Sequence, residues 1–236
     1  MSIFHDAITA IEANNFALFQ KYINEYPGII YGKDMDGNTL LHLAAQRCDH
    51  RMLELLLAKG ADVNAICNDG AATPLLRAIG GISYKTEEDV LRDVELLIDH
   101  GAHINMVNNY GYTPLIYAID SYSNYRIAEM LIRKGARPDE PPTRAGAALV
   151  AAVEQTYEEM IILLFDAGAN INARECDETR RTPLHYAVHW GYPGVVQLLL
   201  SCGADPHVKD RDGQTPLDIA LHKHDQEIVD LLKRSL

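Results

Sequence analysis

The stretch of sequence that decides the fold runs from Thr182 to Thr215 and reads TPLHYAVHWGYPGVVQLLLSCGADPHVKDRDGQT. Thr182 is a favourable N-cap residue. Pro183 suits the first helical position, because no intrahelical partner exists there for a backbone N–H and proline already holds the required φ. Apolar residues then recur at helical spacing up to Gly191. We therefore expect a first helix that begins at Pro183 and ends before Gly191.

A second helix is predicted directly after the first, with Pro193 in its first turn. The residues that follow form a wide apolar stripe: Val195, Val196, Leu198, Leu199 and Leu200. Gly203 stands where a left-handed C-cap residue is expected, and Asp212-Gly213 indicates a tight turn. A unit of two helices and a turn leaves one apolar face uncovered, so it has to stack on a similar neighbour.

The same pattern recurs along the chain. Thr182 and the equivalent Thr215 are 33 residues apart, and shorter matches begin at Thr39, Thr73 and Thr113. A period of about 33 residues with a Thr-Pro-Leu-His-x-Ala core resembles the ankyrin-repeat family. The resemblance implies an all-α ankyrin-repeat solenoid of about seven helix-turn-helix units with hairpin loops, terminal caps included.

We expect these units to form a single ankyrin-repeat domain over residues 1–236. The expected units are an N-terminal cap at 1–33, repeats at 34–66, 67–107, 108–140, 141–173 and 174–208, and a C-terminal repeat or cap at 209–236. The first unit lacks the Thr-Pro-Leu-His core and polar residues dilute the last, as is typical of terminal repeats whose outer face meets solvent.

Two units depart from the pattern. The second repeat carries about seven extra residues within Gly80–Asp89, which we expect between its two helices, either as a binding feature or as tolerated drift. The unit at 141–173 has Ala147–Ala152 in place of the Thr-Pro-Leu-His core, and Pro141-Pro142 precedes it. We still expect two helices there, and the unit is either a hinge or a diverged copy.

The composition excludes several classes of partner. A formal charge of −12 and a pI near 5.2 disfavour nucleic acid and anionic membranes as ligands, and they favour a protein with a basic patch, or serve solubility alone.

The residues suggest neither a membrane-spanning run nor a secretory signal. The four cysteines are Cys48, Cys67, Cys176 and Cys202. Their spacing fits a reducing compartment, so we expect a cytoplasmic monomer, or one in the host cytoplasm if it is a secreted effector.

Motifs for chemistry are weak, and we predict no cofactor, no metal site and no catalytic residues. Gly28–Lys33 is too short for a phosphate loop and lacks the Ser or Thr that would bind magnesium. Asp34–Gly37 and Asp210–Gly213 resemble the start of a calcium loop, but neither is followed by the required Glu, so both are interpreted as hairpins. A metal site at His207, His222 and His224 is disfavoured, because histidines two apart on a helix face different ways.

The family resemblance assigns roles to particular positions. It implies that His42 and His185 form hydrogen bonds within and between repeats. It also implies that partners lie against the concave face, made of hairpin tips and first helices. Transferred to this chain, that face comprises Asn109, Tyr110, Tyr112, Tyr117, Asp120, Tyr122, Arg180, Arg181, Tyr186, His189, Trp190, Arg211, Gln214 and Asp218. Tyr, Trp and Arg are the residues that dominate binding hot spots.

The sequence therefore favours a non-catalytic protein–protein interaction module that acts as an adaptor, an inhibitor or a targeting subunit. Chains made of such repeats also resemble bacterial or viral host-directed proteins. Two alternatives stand beside this hypothesis. One is an enzyme with a site grafted onto the repeats, for example at Gly80–Asp89, which would require convergent titratable groups. The other is a substrate of an asparaginyl hydroxylase, since Asn64, Asn105 and Asn172 match the position that the family resemblance implies as its target.

Overall fold

The computed structural model describes residues 3–47, 50–81, 85–120, 124–140, 147–174 and 179–235. These residues form fourteen α-helices and a 3₁₀ turn at Pro27–Tyr31, so the all-α prediction is confirmed. The helices are α1 (Ile3–Glu12), α2 (Phe16–Glu25), α3 (Leu40–Arg47), α4 (His50–Ala58), α5 (Pro74–Gly80), α6 (Glu87–Asp99), α7 (Pro114–Asp120), α8 (Tyr125–Arg133), α9 (Ala147–Glu154), α10 (Glu158–Asp166), α11 (Pro183–Trp190), α12 (Pro193–Ser201), α13 (Pro216–His222) and α14 (Gln226–Arg234). Within the described ranges, no helix is both long and apolar enough to span a bilayer.

The chain divides into two compact units, Met1–Pro114 and Leu115–Leu236. In the first unit, α1, α3 and α5 pack in series, and α2, α4 and α6 form a second layer against them. In the second unit, α9, α11 and α13 pack in series, and each packs on the helix that follows it. Within each unit, the helices therefore follow the two-layer arrangement that the repeats predict.

Threonine side chains begin the first helices of several repeats. The Thr182 hydroxyl accepts from the His185 N–H at the start of α11, and the Thr215 hydroxyl does the same for Asp218 in α13. Each threonine is followed by a proline at the first helical position, as predicted. Replacing such a cap by alanine typically costs about 1 kcal/mol, so these residues fix where each helix begins.

The predicted left-handed glycine is confirmed at the end of α12. Gly203 has φ +85°, and its N–H donates to the carbonyl of Leu200 at 3.0 Å. A residue with a Cβ is strained in this conformation. The glycine therefore ends the helix and turns the chain toward the next hairpin.

The apolar stripes predicted from the sequence form the core between the layers. In α12, Val195, Val196 and Leu199 are buried, whereas Leu198 and Leu200 are half-buried. Three of the five predicted residues are thus buried. The helix packs on one side only, so residues that project away from that side remain partly exposed to solvent.

The two calcium-like stretches are hairpins, as interpreted from the sequence. The Asp210 carboxylate accepts the N–H groups of Asp212 and Gln214, each at 3.0 Å, and the backbone of Asp210 pairs with that of Gln214. Asp34 accepts the N–H groups of Asp36 and Asn38 in the same way, at 2.9 and 2.8 Å. These carboxylates therefore hold the turn in the conformation that the hairpin needs.

The placement of the extra residues in the second repeat was partly wrong. They were expected between the helices, but Glu87–Asp89 form the first turn of α6, which has 13 residues where α4 and α8 have 9 each. The Thr86 hydroxyl caps this turn by accepting from the Asp89 N–H at 3.2 Å, and three acidic residues there interact favourably with the helix dipole. Residues 82–84 lie outside the described ranges.

The irregular units nevertheless form paired helices. The N-terminal cap consists of α1 and α2, and Asn15 caps α2 by accepting from the Leu18 N–H at 3.0 Å. The unit without the Thr-Pro-Leu-His core forms α9 and α10, as predicted, and every residue of Ala147–Val153 is buried. The prolines 141 and 142 lie outside the described residues. Helix formation in this unit therefore follows from its apolar residues.

Candidate functional site

His185 joins two neighbouring repeats in the second unit. Its Nδ1 accepts the N–H of Thr182 at 3.2 Å, so the proton lies on Nε2, which donates to the carbonyl of Gln214 at 3.2 Å. Burial lowers the pKa of His185 despite this bond. The structural role inferred from the resemblance is confirmed, and this bond holds the hairpin of the last repeat against α11.

His42 has the same role in the first unit. Its Nδ1 accepts from the Thr39 N–H at 3.1 Å, and its Nε2 lies 3.1 Å from the carbonyl of Ala72 in the next repeat. Burial lowers the pKa of His42 to about 4. Both histidines are therefore neutral framework residues at pH 7.

Three aromatic side chains lie together at the end of α11. The rings of Tyr186 and Trp190, one helical turn apart, stack with their centroids 5.1 Å apart and their planes at 25°. The centroid of the Tyr192 ring lies 6.2 Å from that of the Trp190 ring, and the two ring planes are tilted by 41°. All three side chains are half-buried, so each has one part packed and another open to solvent. Offset stacking of this kind stabilises a pair beyond the area it buries.

Cationic side chains lie beside these aromatics. The ammonium group of Lys223 donates to the backbone carbonyl of His189, in the last turn of α11. The pKa of His189 is lowered by partial burial and then by the charges of Arg181 and Lys223. We call the group formed by Tyr186, His189, Trp190, Tyr192 and Lys223 the Trp190 surface.

Two hairpins lie next to the Trp190 surface. The hydroxyl of Thr179 is 3.4 Å from that of Tyr186, and its carbonyl accepts the N–H of Arg211 from the next hairpin at 2.8 Å. Nε of Arg181 lies 3.5 Å from the carboxylate of Asp210, whose side chain is only 2% exposed. These bonds bring the predicted Arg180, Arg181 and Arg211 to adjacent hairpin ends.

Among the remaining predicted residues of the second unit, Asp218 and Gln214 form local hydrogen bonds. The Asp218 carboxylate accepts the N–H and the hydroxyl of Thr215, at 2.8 and 2.7 Å, and these bonds lower the pKa of Asp218. The side-chain amide of Gln214 lies 3.3 Å from Nδ1 of His222. Tyr117 and Asp120 are half-buried on α7. Tyr122, also predicted, lies outside the described residues.

The predicted residues on the third hairpin belong to the first unit. The side chain of Asn108 accepts the N–H groups of Tyr110 and Tyr112, both at 2.9 Å. The N–H of Asn109 donates to the carbonyl of Gly70 at 2.8 Å, and the Tyr110 ring lies against Gly70 with 64% of the residue exposed. The structure brings together the predicted residues of the third hairpin and, separately, those around α11 and the two hairpins next to it. Their role in binding stays a prediction.

Two members of the Trp190 surface were missed by sequence reasoning. Tyr192 is the N-cap residue of α12, and Lys223 is the C-cap residue of α13. The repeat period was the available signal for Lys223, because it lies 34 positions after His189, its hydrogen-bond partner. Both are helix-cap residues, outside the hairpin tips and exposed first-helix positions from which the face was inferred.

A buried charged cluster in the first unit was also missed. Lys85 donates to the Asp93 carboxylate and, at 2.9 Å, to the carbonyl of Ala45, while Nδ1 of His50 lies 2.7 Å from the other Asp93 oxygen. The signal was an aspartate within the apolar stripe of α6. Both carboxylate oxygens are engaged inside the cluster, so it joins α3, α4 and α6 and gives the insertion a structural role.

Asparagines at one repeat position join successive hairpins. The amide oxygen of Asn64 accepts the N–H of His103 at 2.8 Å, and its NH₂ group donates to the carbonyl of Gly101 at 3.0 Å. The Asn172 side chain accepts the N–H of Asp205 at 2.8 Å in the second unit. Asn64 and Asn172, two of the three asparagines predicted as hydroxylation targets, therefore contribute to stacking. Among the described residues, no three His, Cys, Asp or Glu side chains converge as metal ligands would.

The chain is similar to known repeat proteins. Ankyrin-repeat family models match residues 36–68, 82–141 and 149–235. Rabankyrin-5 of Homo sapiens is 32% identical over 181 residues, and the match covers 76% of this chain but only 15% of that protein. The ankyrin repeat protein YahD of Escherichia coli (strain K12) is 32% identical over 197 residues, 80% of this chain and 92% of that protein.

A solved structure agrees in fold. The ankyrin repeat domain of Bcl-3 superposes with a TM-score of 0.78 at 23% identity, over 96% of this chain and 97% of that one. The capping threonines, the bridging histidines and the left-handed glycines recur with the period that the family models match. The chain therefore belongs to the ankyrin-repeat family.

Proposed function

We propose that this chain is a non-catalytic protein–protein interaction module whose Trp190 surface binds a protein partner. Ankyrin repeats in general are protein-binding modules, and the fold is typically non-catalytic. The observation that carries the proposal is the stack of Tyr186 on Trp190, half-buried at the end of a helix capped at both ends. Aromatic side chains held in this way bury large areas at low entropic cost.

The framework beneath the surface supports this proposal. Thr182 and His185 fix the start of α11, and Gly191, with φ +78°, fixes its end. The Lys223 bond to the carbonyl of His189 ties the same end to the next repeat. A partner would therefore meet side chains that are already ordered, so binding loses less conformational entropy.

The enzymatic alternative receives less support from the described residues. The convergent titratable groups nearest the insertion are Lys85, Asp93 and His50. The Lys85 and Asp93 side chains are 5% and 1% exposed, and they bind each other. A catalytic acid or base has to reach a substrate atom, and these two groups are closed off from solvent.

The proposal is tested by capture of the partner on immobilised protein. Trp190→Ala combined with Tyr186→Ala is expected to abolish capture, while far-UV circular dichroism stays close to that of the parent and the melting temperature falls only by the loss of the stack. The matched control is Phe165→Ala, which removes a 38% exposed aromatic from α10 in the same unit. The control is expected to capture the partner normally.

Unchanged capture by the double variant would contradict the proposal. A substrate turned over by the purified protein, with turnover lost on a point change that preserves folding, would contradict its non-catalytic part. The narrower roles of adaptor, inhibitor, targeting subunit and host-directed effector differ in the partner, so mass spectrometry of the captured protein distinguishes them.

We further propose that the protein works in a reducing, intracellular compartment. Cys67 and Cys202 are free thiols, and the Cys67 sulfur accepts from Arg77 and donates to the carbonyl of Asp69, each at 3.5 Å. Oxidation would break these contacts. Localisation of a tagged protein by microscopy tests this proposal.

A further inference from the structure

We propose that the partner segment bound by the Trp190 surface is acidic, with Asp or Glu carboxylates next to an apolar side chain. This inference rests on the proposed function and names the chemistry of its ligand. The aromatic rings would accept the apolar side chain, and the cations beside them would accept the carboxylates.

The cations lie at the end of α11 and on the hairpins beside it. Lys223 is held by its bond to the His189 carbonyl. After burial, the charges of Arg181 and Lys223 lower the pKa of the His189 ring. Arg211 lies on the neighbouring hairpin, whose backbone is bonded to Thr179. A carboxylate that reaches the Trp190 ring from solvent would therefore meet positive charge.

Several carboxylates near the Trp190 surface are engaged by the framework, whereas Glu158 lies next to Gly194 and the Oδ2 atom of Asp225 lies near Gly191. Asp210 accepts two backbone N–H groups and faces Arg181, Asp218 accepts from Thr215, and Asp225 caps α14 by accepting from the Ile228 N–H at 3.1 Å. Asp212 lies exposed at the hairpin tip next to Arg211 in sequence, so those two charges offset each other. Among the described residues, Lys223 forms no ion pair with a carboxylate and donates to the carbonyl of His189.

The negative net charge of the chain favours basic partners, whereas the proposed segment is acidic. A formal charge of −12 attracts basic proteins on average. At physiological ionic strength, however, charges more than about 8 Å apart are largely screened when they are exposed to solvent. The side chains within contact distance of the bound segment therefore decide which segment the surface binds, and here they include Lys223.

The surface carries its own reporter. Trp190 is the single tryptophan of the chain, so intrinsic tryptophan fluorescence reports on this surface alone. The full chain would be titrated with three synthetic peptides that share one central leucine and differ only in flanking Glu, Gln or Lys residues. We expect the Glu peptide to change the fluorescence saturably and to bind about tenfold more tightly than the Gln peptide, with weaker binding at high salt.

Charge reversal tests the cations directly. Lys223→Glu is expected to weaken binding of the Glu peptide about tenfold, and Arg211→Glu is expected to weaken it in the same direction. The matched control is Lys233→Glu, which changes the net charge equally but lies exposed in the last turn of α14. The control should bind the peptide as the parent does.

The outcomes separate this inference from the proposed function. If the Gln or Lys peptide binds as tightly as the Glu peptide, or if Lys223→Glu and Arg211→Glu bind the Glu peptide like the parent, the inference is overturned. Capture of the partner that is lost with Trp190→Ala but unaffected by Lys223→Glu leaves the proposed function standing and overturns the acidic ligand. Capture that survives the loss of both Trp190 and Tyr186 overturns the proposed function itself.

Discussion

The ammonium group of Lys85 donates to the carboxylate of Asp93 inside the first unit, where the two side chains are 5% and 1% exposed. Lys85 lies in the connection between α5 and α6, and Asp93 lies in α6, so the pair fixes this connection to α6. Lys85 also donates to the carbonyl of Ala45 near the end of α3, where a positive charge is favourable. The insertion is therefore held by a buried ion pair.

We predict that Lys85→Met destabilises the protein by roughly 3 kcal/mol, because breaking a buried pair leaves the Asp93 charge without its main partner. His50 retains one bond to Asp93 and reduces the loss. The free energy of unfolding would be measured by urea titration with far-UV circular dichroism. The double variant Lys85→Met with Asp93→Leu is expected to recover part of the loss.

Lys59→Met serves as the control for this pair, because Lys59 is exposed just after α4. Its expected effect is within about 0.5 kcal/mol. A Lys85→Met protein as stable as the parent would contradict the prediction, because the Asp93 charge would then be tolerated without Lys85.

Stability should fall on acidification because His42 is buried in its neutral form. Its pKa is about 4 in the folded chain and 6.5 in the unfolded one, so between these values only the unfolded chain binds the extra proton. The free energy of unfolding therefore rises with pH across this window and is lost as pH falls from 6.5 toward 4. From pH 7 to pH 5, we expect a loss of roughly 2 kcal/mol from His42, and His185 adds to it in the same direction.

Urea titrations at several pH values would measure this loss, with His42→Gln as the comparison. The variant is expected to be less stable than the parent at pH 7, because its bond to the Ala72 carbonyl is altered, but to lose less stability on acidification. Parallel pH profiles for the two proteins would refute the assignment to His42.

Much of this fold was predictable because its determinants are local. Thr182, Pro183 and Gly203 act within one turn of their own position, and the 33-residue period copies their effects along the chain. The N-terminus of α6 was missed although its signal is also local. Thr86 followed three residues later by Asp89 is a helix-start pattern, but the repeat spacing does not predict a helix start at that position.

The candidate site was less predictable because its contacts are not local. Tyr186 and Trp190 are four residues apart on one helix, so their proximity followed from helical spacing. The approach of Lys223 to His189 depends on how two repeats pack, and the Lys85–Asp93 pair depends on where a connection of irregular length returns. The repeat period and the aspartate in the stripe of α6 mark these positions in the sequence, but the sequence does not show which side chains they contact.

Asn64 provides the last prediction, since its side chain makes two bonds to the next repeat of the first unit. Asn64→Ala is expected to cost about 1 kcal/mol, because water can partly replace these exposed bonds. Asn64→Asp keeps the acceptor, as Asp139 does at the equivalent position by accepting from the Asn170 N–H at 3.0 Å, so it should cost less. Amide hydrogen exchange measured by NMR would locate the effect. Exchange at His103 should accelerate in Asn64→Ala and change less in Asn64→Asp, whereas equal exchange in all three proteins would show that the bond does not contribute to stacking.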